Sequence, residues 1–160
     1  MLQLTTYKIF EAESDIGGTW LQNTYPGCAC DNLSHLYNYS FAPNYDWSRK
    51  YVPQKEILEY LRSTARMYNI YDKIQFRSKV SRMQWNDDRQ KWVLNWSNLA
   101  TGEEAVLEVD VLIRATGLFR IPRIPQEFSQ FKGELWHSAR WRSDVDLAGK
   151  RVGVVGSGAR

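Results

Sequence analysis

The residues with the clearest chemical use are two glycines near the end of the sequence. Gly156-Ser157-Gly158 follows Arg151–Val155, an apolar run whose composition predicts a β-strand. Glycines at this spacing let a backbone approach a pyrophosphate, and the N-terminus of a following helix offers amide N–H groups to the same anion. A bare G-x-G also fits an ordinary surface turn, so the segment indicates a dinucleotide site only beside other signals.

A second candidate is the carboxylate of Glu11, which ends a short predicted strand, Tyr7–Glu11. In dinucleotide-binding folds such an acid accepts hydrogen bonds from an adenosine ribose, and a glycine-rich phosphate loop lies about 20 residues before it. Only ten residues precede Glu11, which is too few for that loop. We therefore expect a piece of a longer protein with two nucleotide sites, cut after its first strand and helix.

Composition and charge argue against several other classes of function. The net charge is +3 and the basic residues are scattered among acids, so no nucleic-acid-binding face is predicted. No apolar stretch approaches the roughly 18 residues of a membrane span, and no signal-peptide core is present, so we expect a cytoplasmic protein. Cys28 and Cys30 are the only cysteines. His35 could join them as a metal ligand, but ordinary reduced thiols are the favoured interpretation, and no metal is assigned.

Hydrophobic periodicity predicts one helix and several strands around these residues. Apolar residues at steps of three and four predict a helix over Gln54–Asn69, after a turn-rich loop that reaches Pro53. Strand-like runs occur at Ile74–Phe76, Val80–Trp85, Trp92–Trp96, Ala105–Val109 and, as a buried run, Val111–Ala115. The tryptophans of this region are expected in the core of a small sheet: Trp85, Trp92 and Trp96. This mixture of elements indicates the α/β class.

Three motifs in the same order carry a resemblance to a known family. Gly17-Gly18-Thr19-Trp20, four residues, Tyr25-Pro26-Gly27, three residues and Asp31 resemble the [A/G]-G-x-W-x4-[F/Y]-P-[G/M]-x3-D signature of Baeyer–Villiger monooxygenases. Phe131-x-Gly133-x3-His137-x3-Trp141 is similar to that family's second signature, and Ala115-Thr116-Gly117 to its A-T-G linker strand. The residues around Cys28–Ser48 resemble the fungal branch that includes the sterigmatocystin-pathway enzymes.

The resemblance implies an incomplete Rossmann-like FAD-binding domain with a small β insertion, running into the first strand of an NADPH-binding domain. Residues 1–121 would form the partial FAD-binding domain without its first strand and phosphate loop. Residues 122–150 would be an interdomain connector, and residues 151–160 the truncated start of the NADPH-binding domain. The implied enzyme uses FAD, NADPH and O2 to insert oxygen into a small-molecule ketone, giving an ester or lactone in secondary metabolism. The chain alone is expected to hold FAD weakly and to be inactive.

The resemblance also implies roles for individual residues. Glu11 would bind the FAD ribose and Val80 would offer backbone groups to adenine. The residues expected beside the flavin are Thr19, Trp20, Leu21, Gln22, Asp31 and Tyr37. Those expected to border the nicotinamide or its phosphates are Ala29, Cys30, Asp31, Gly156 and Gly158. His137, on the connector, would couple NADPH binding to domain motion, so Asp31 and His137 are the two residues expected to influence catalysis.

One departure from the family pattern keeps an alternative of the same fold open. Arg142 follows Trp141, where the family commonly has Pro or Asp. This weakens the distinction from the N- and S-oxidising flavin monooxygenases, although those usually carry Phe or Tyr at the position of Trp141. A non-catalytic remnant, or a small binding module, is the alternative from another class of protein.

Overall fold

The computed structural model describes residues 6–156, which form two compact units. The first unit contains residues 6–16 and 65–116, and the second contains residues 17–64 and 117–156. The regular elements are the strands β1 (Ile9–Phe10), β2 (Ile74–Gln75), β3 (Ser78–Asn86), β4 (Lys91–Asn98) and β5 (Glu104–Val109), and the helices α1 (Thr19–Gln22) and α2 (Gln54–Met67). Short 3-10 turns occur at Ser34–Leu36, Tyr71–Lys73, Gln126–Gln130 and Ser138–Arg140.

Helix α2 confirms the prediction from periodicity, and both of its ends have a local cause. Pro53 stands just before its first residue, where a missing N–H costs little. At the other end, Asn69 takes a left-handed conformation with φ of 53°. The N–H of Ile70 then bonds to the carbonyl of Ala65 and that of Asn69 to the carbonyl of Arg66, which is the Schellman pattern of a helix end.

The first unit contains a parallel pair of strands and an antiparallel meander. Strand β1 pairs with β2, and the N–H of Glu11 extends the pairing to the carbonyl of Gln75 at 3.0 Å. Strands β3, β4 and β5 pair in chain order. These strands confirm the predicted strand-like pieces, although β1 is shorter than Tyr7–Glu11. The chain thus combines parallel and antiparallel sheets with helices, as the α/β class requires.

The register of the meander puts its large apolar side chains on one face. Trp85 lies opposite Trp92, and Met83 lies opposite Leu94, which in turn lies opposite Leu107. Because directly paired residues share a face of a sheet, the tryptophans, methionine and leucines lie together. Leu94 is buried, but Trp85 remains 36% exposed, so its predicted place in the sheet core is wrong. It lies near the end of β3, where its ring contacts that of Trp92 at 5.6 Å and its indole N–H donates to the carboxylate of Asp87 at 3.0 Å.

Two further predicted strands are absent from the structure. The runs Val111–Ala115 and Arg151–Val155 form no strand. Val111 is 71% exposed, so the predicted burial of Val111–Ala115 is wrong, and Val154 is 86% exposed. A strand exists only when a neighbouring backbone completes its hydrogen bonds, and among residues 6–156 no strand pairs with either run.

The second unit is built around a small buried cluster beneath an irregular loop. Cys30, Trp47, Val52 and Ile57 form this cluster, and Val52 and Ile57 are fully buried. Partly buried side chains that pack against the cluster are Trp20, Tyr37, Tyr60 and Leu61. Most of the loop is irregular, so its position depends on these contacts and on side-chain hydrogen bonds rather than on a sheet.

Candidate functional site

The glycine turn before α1 has a shape that side chains would disturb. Gly17 has φ of 123°, and a Cβ atom placed on it would lie 2.4 Å from Cδ1 of Leu58. Gly18 has φ of 49° and ψ of −114°, and its carbonyl accepts from the N–H groups of Leu21 and Gln22. Both torsions are costly for residues that carry a Cβ atom. The turn therefore brings backbone close to α2 and starts α1 without a side-chain cap.

Trp20 of α1 is held in place by two side chains, Tyr37 from the following loop and Gln54 from α2. Its indole N–H donates to the hydroxyl of Tyr37 at 2.7 Å, and the two rings meet edge to face at 5.4 Å. The side-chain amide of Gln54, at the first residue of α2, donates to the backbone carbonyl of Trp20. Two predicted cofactor-binding residues, Trp20 and Tyr37, thus come into direct contact.

These residues form one wall of a cavity of about 420 Å³. We call it the aromatic cleft, and its lining is Gly17, Thr19, Trp20, Leu36, Tyr37, Asn38, Tyr39, Tyr60 and Leu61. Tyr60 stabilises one side, because its hydroxyl accepts from the N–H of Tyr39 at 2.7 Å and donates to the carbonyl of Ala42 at 2.8 Å. Burial, and then the neighbouring phenols of Tyr60 and Tyr37, raise the pKa of Tyr39. The phenol of Tyr39 therefore stays neutral near pH 7.

Sequence reasoning did not find all of the cleft. Leu36, Asn38, Tyr39, Tyr60 and Leu61 line it without having been predicted as site residues. Leu61 lies in the amphipathic helix α2, where an apolar residue indicates core packing rather than a site. The alternation of aromatic residues at Tyr37, Tyr39 and Phe41 was the available signal, but the sequence does not show which side of this loop faces a cavity.

Asp31 lies on a loop whose backbone is held on both sides. Before it, the carbonyl of Cys28 accepts from the N–H of Gln54 at 2.9 Å, and the N–H of Cys30 donates to the carbonyl of Val52 at 3.0 Å. After it, the fully buried hydroxyl of Ser34 accepts from the N–H of Val52 at 3.0 Å. Asp31 itself is exposed, so its carboxylate lies at the surface of a loop that these hydrogen bonds hold in place.

Ala29 and Cys30, which precede Asp31, make contacts within the protein itself. Ala29 forms an isolated antiparallel bridge with Pro53, and Cys30 is buried with its thiol 3.1 Å from the carbonyl of Asn32. Burial raises the pKa of the Cys28 thiol, and a hydrogen bond with Tyr25 opposes that rise. Both cysteines are free thiols.

His137 begins the 3-10 turn Ser138–Arg140. Its Nδ1 accepts from the N–H of Ala139 at 3.1 Å, and its carbonyl accepts from the N–H of Arg140 at 2.8 Å. Ala139 is buried and His137 is half-buried. Trp136 and Trp141 flank this turn and meet edge to face at 5.8 Å, which fits the interpretation of these rings as packing.

The remaining predicted residues lie in other parts of the chain. Glu11 and Val80 belong to the first unit, where the Glu11 carboxylate accepts from the N–H of Glu13 at 2.8 Å. The carbonyl of Glu11 accepts from the N–H of Ser78 at 2.8 Å, which places Glu11 beside the start of β3. Val80 pairs with Trp96, next to an irregularity in the β3–β4 register. Gly156 is exposed with φ of 116°, and Gly158 lies outside the described residues.

Residues 6–156 lack two kinds of feature, a helix able to span a membrane and a metal-binding cluster. In that range, none of the helices combines the length and apolarity that crossing a bilayer requires. Over the same residues, His, Cys, Asp and Glu side chains form no group of three or more that could hold a metal ion.

Comparison with known proteins identifies the family. A family model described as flavin-binding monooxygenase-like matches residues 6–160. The chain is 39% identical over 158 residues to a Baeyer–Villiger monooxygenase of Streptomyces coelicolor, covering 98% of this chain and 29% of that protein. It is 40% identical over 159 residues to the FAD-binding monooxygenase BOA2 of Botryotinia fuckeliana, covering 98% of this chain and 30% of that protein.

A solved structure extends the likeness to the fold. The crystal structure of OTEMO in complex with FAD and NADP matches with a TM-score of 0.81 at 35% identity, covering 94% of this chain and 30% of that one. The fold is thus that of part of a Rossmann-like domain. The chain belongs to the flavin-binding monooxygenase-like family, and it spans about 30% of the length of the relatives it matches.

Proposed function

We propose that the chain is part of an FAD- and NADPH-dependent monooxygenase that inserts one oxygen atom of O2 into a small-molecule ketone, giving an ester or lactone. The aromatic cleft carries this proposal. Two glycines with positive φ adjoin α1, and the cleft has aromatic rings on several sides, which suits a flat cofactor. The names of the relatives support the same cofactors and the same reaction class.

Different residues of the chain would contact different parts of such a cofactor. Thr19, Trp20 and Tyr37 would contact it within the cleft, with Leu21 and Gln22 continuing the same helix. Glu11 would accept hydrogen bonds from its ribose, and Val80 would offer backbone groups to its adenine. When bound, FAD supplies the redox chemistry with NADPH and O2.

The protein's own groups contribute position and exclusion of water. The hydrogen bond between Trp20 and Tyr37 fixes two rings that would otherwise rotate. Asp31, exposed on its braced loop beside Ala29 and Cys30, would orient the nicotinamide through its carboxylate. His137 would act at a distance, on the connector, and Gly156 and Gly158 would approach the phosphates of NADPH. We place the enzyme in the cytoplasm and in secondary metabolism; the free thiols of Cys28 and Cys30 fit a reducing compartment.

The test uses the longer protein that contains this chain. We expect it to purify with bound flavin, to oxidise NADPH faster when a ketone is added, and to give a product that has gained one oxygen atom. The same assay with a thioether and an amine distinguishes the N- and S-oxidising alternative, which was raised by Arg142 at the position after Trp141. A protein that binds no flavin at saturating FAD would contradict the proposal as a whole.

A further inference from the structure

One guanidinium group joins three separate segments of the second unit. Nη1 of Arg140 donates to the carbonyl of Ala139 at 3.0 Å and lies 3.5 Å from Oε1 of Gln22 on α1. Nη2 donates to the carbonyl of Arg120 at 3.2 Å. Gln22 and Arg140 are 118 residues apart in the sequence. A single side chain therefore links the turn that begins at His137 to the helix that carries Trp20.

The chemistry of these contacts favours arginine specifically. All three acceptors are neutral oxygens, so the contacts depend on the direction of the N–H groups rather than on opposite charge. A guanidinium presents several N–H donors in a fixed plane, whereas a lysine ammonium is a point charge on a flexible stem. A lysine at this position can reach one of these oxygens but cannot span all three segments at once.

A neighbouring arginine shows what a purely local contact looks like. Arg142 bonds to Glu134 at 2.6 Å and to Asp144 at 2.7 Å. Both partners lie within eight residues of it along the chain, so these salt bridges hold only the connector. Arg142 and Arg140 thus have the same side chain on the same connector, but their hydrogen-bond partners lie at very different distances along the sequence.

We propose that Arg140 is a positioning residue, which transmits the position of the turn His137–Arg140 to helix α1 through Gln22. This inference rests on the proposed function, because it assigns the connector an effect on the residues that would hold the flavin. In this arrangement a displacement of the turn moves Gln22 and the carbonyl of Arg120 together. Arg140 would act on the flavin site through Gln22 rather than as a catalytic group.

The experiment is a double-mutant cycle in the longer protein, with Arg140→Ala, Gln22→Ala and the double variant. Arg140→Lys and the control Arg142→Ala are measured beside them. Flavin content is determined for each variant, and the rate of flavin reduction is measured over a range of NADPH concentrations. We expect Arg140→Ala to slow reduction by about threefold to tenfold at full flavin occupancy, the range typical of coupled residues. Arg140→Lys should recover little of this loss, and Arg142→Ala should reduce flavin at the wild-type rate.

The cycle distinguishes coupling between Arg140 and Gln22 from independent effects of the two substitutions. If Gln22 acts through Arg140, Gln22→Ala slows reduction in the wild-type background but changes little once Arg140 is already alanine. Equal effects of Gln22→Ala in both backgrounds would overturn the inference, as would an Arg140→Ala rate equal to that of Arg142→Ala. A wild-type protein that binds flavin but is not reduced by NADPH would instead contradict the proposed function.

Discussion

Ser34 shows how one residue without any catalytic role fixes the position of a candidate site residue. Its hydroxyl is fully buried, lies 2.9 Å from the carbonyls of Arg49 and Lys50, and accepts from the N–H of Val52 at 3.0 Å. Three backbone groups thus converge on one oxygen atom. Because Val52 also pairs with Cys30, this oxygen braces the loop on which Asp31 stands.

Ser34→Ala is therefore expected to destabilise the protein by about 1–3 kcal/mol, the usual cost of leaving buried backbone groups without a hydrogen-bond partner. Urea unfolding followed by tryptophan fluorescence measures this loss. Ser40→Ala, at an exposed position in the same loop, is the matched control and should change stability by less than about 0.5 kcal/mol. Equal stability of the two variants would show that the Ser34 contacts contribute nothing.

Asp31 is predicted to matter for chemistry more than for folding. Its side chain is exposed, so Asp31→Ala should leave the unfolding midpoint close to that of the wild type. In the longer protein, the same variant should slow flavin reduction by NADPH by about tenfold or more, which corresponds to about 1.4 kcal/mol in the barrier. Stopped-flow absorbance of the flavin measures this rate, with the exposed Asp46→Ala as control. Wild-type reduction in Asp31→Ala would remove Asp31 from the site.

At the scale of elements, the sequence predicts what local periodicity controls. The apolar stripe of α2 and the strand-like composition of β3, β4 and β5 are properties of 6 to 14 neighbouring residues, and the structure confirms those elements. Val111–Ala115 has equally strong strand composition and forms no strand. The composition of a segment shows only that it could form a strand. Whether it does depends on a neighbouring strand, which the local sequence does not reveal.

The residues of the candidate site likewise fall into those that the sequence predicts and those that it misses. The motif spacing singled out Trp20 and Tyr37, and the structure brings them into contact. Tyr39 and Tyr60 were missed because their contact joins an aperiodic loop to a helix 21 residues away. Arg140 was missed for a related reason, since its partners Gln22 and Arg120 share no motif with it. Motifs identify residues that recur together, but not the supporting contacts that a particular chain has.

The turn before α1 gives a prediction at this scale. A Cβ atom on Gly17 would collide with Leu58, and φ of 123° is strained for alanine. Gly17→Ala should destabilise the protein by about 1–3 kcal/mol. It should also displace Trp20, which a change in the tryptophan emission would report. Gly153→Ala is the control, because a Cβ atom there meets open space. A Gly17→Ala protein as stable as Gly153→Ala would show that the turn is not constrained.

At the scale of the whole molecule, each compact unit is assembled from two distant stretches of chain. Residues 6–16 join 65–116, and residues 17–64 join 117–156. The second unit therefore contains both the aromatic cleft and residues 122–150, so α1 and the turn Ser138–Arg140 lie in the same compact unit. The candidate residues Glu11 and Val80 belong to the first unit.

Two substitutions of His137 in the longer protein distinguish its role as a cap of the turn Ser138–Arg140 from its proposed effect on NADPH-dependent turnover. Asparagine can replace Nδ1 as the acceptor of the Ala139 N–H, because its side-chain oxygen suits the first position of a helical turn. Alanine cannot. We therefore expect His137→Asn to keep the wild-type unfolding temperature, and His137→Ala to lose the stability of one capping contact, about 1 kcal/mol.

Both His137 variants should nevertheless slow NADPH-dependent turnover by about tenfold while flavin stays bound, because coupling between connector and cofactor requires the imidazole and not only the cap. Flavin reduction by stopped-flow and ester formation by product analysis are measured separately. Normal reduction beside abolished product would instead assign His137 to proton transfer at the carbonyl. If His137→Asn matches the wild type in both rates while His137→Ala falls in proportion to its stability, the residue is only the cap of the turn Ser138–Arg140.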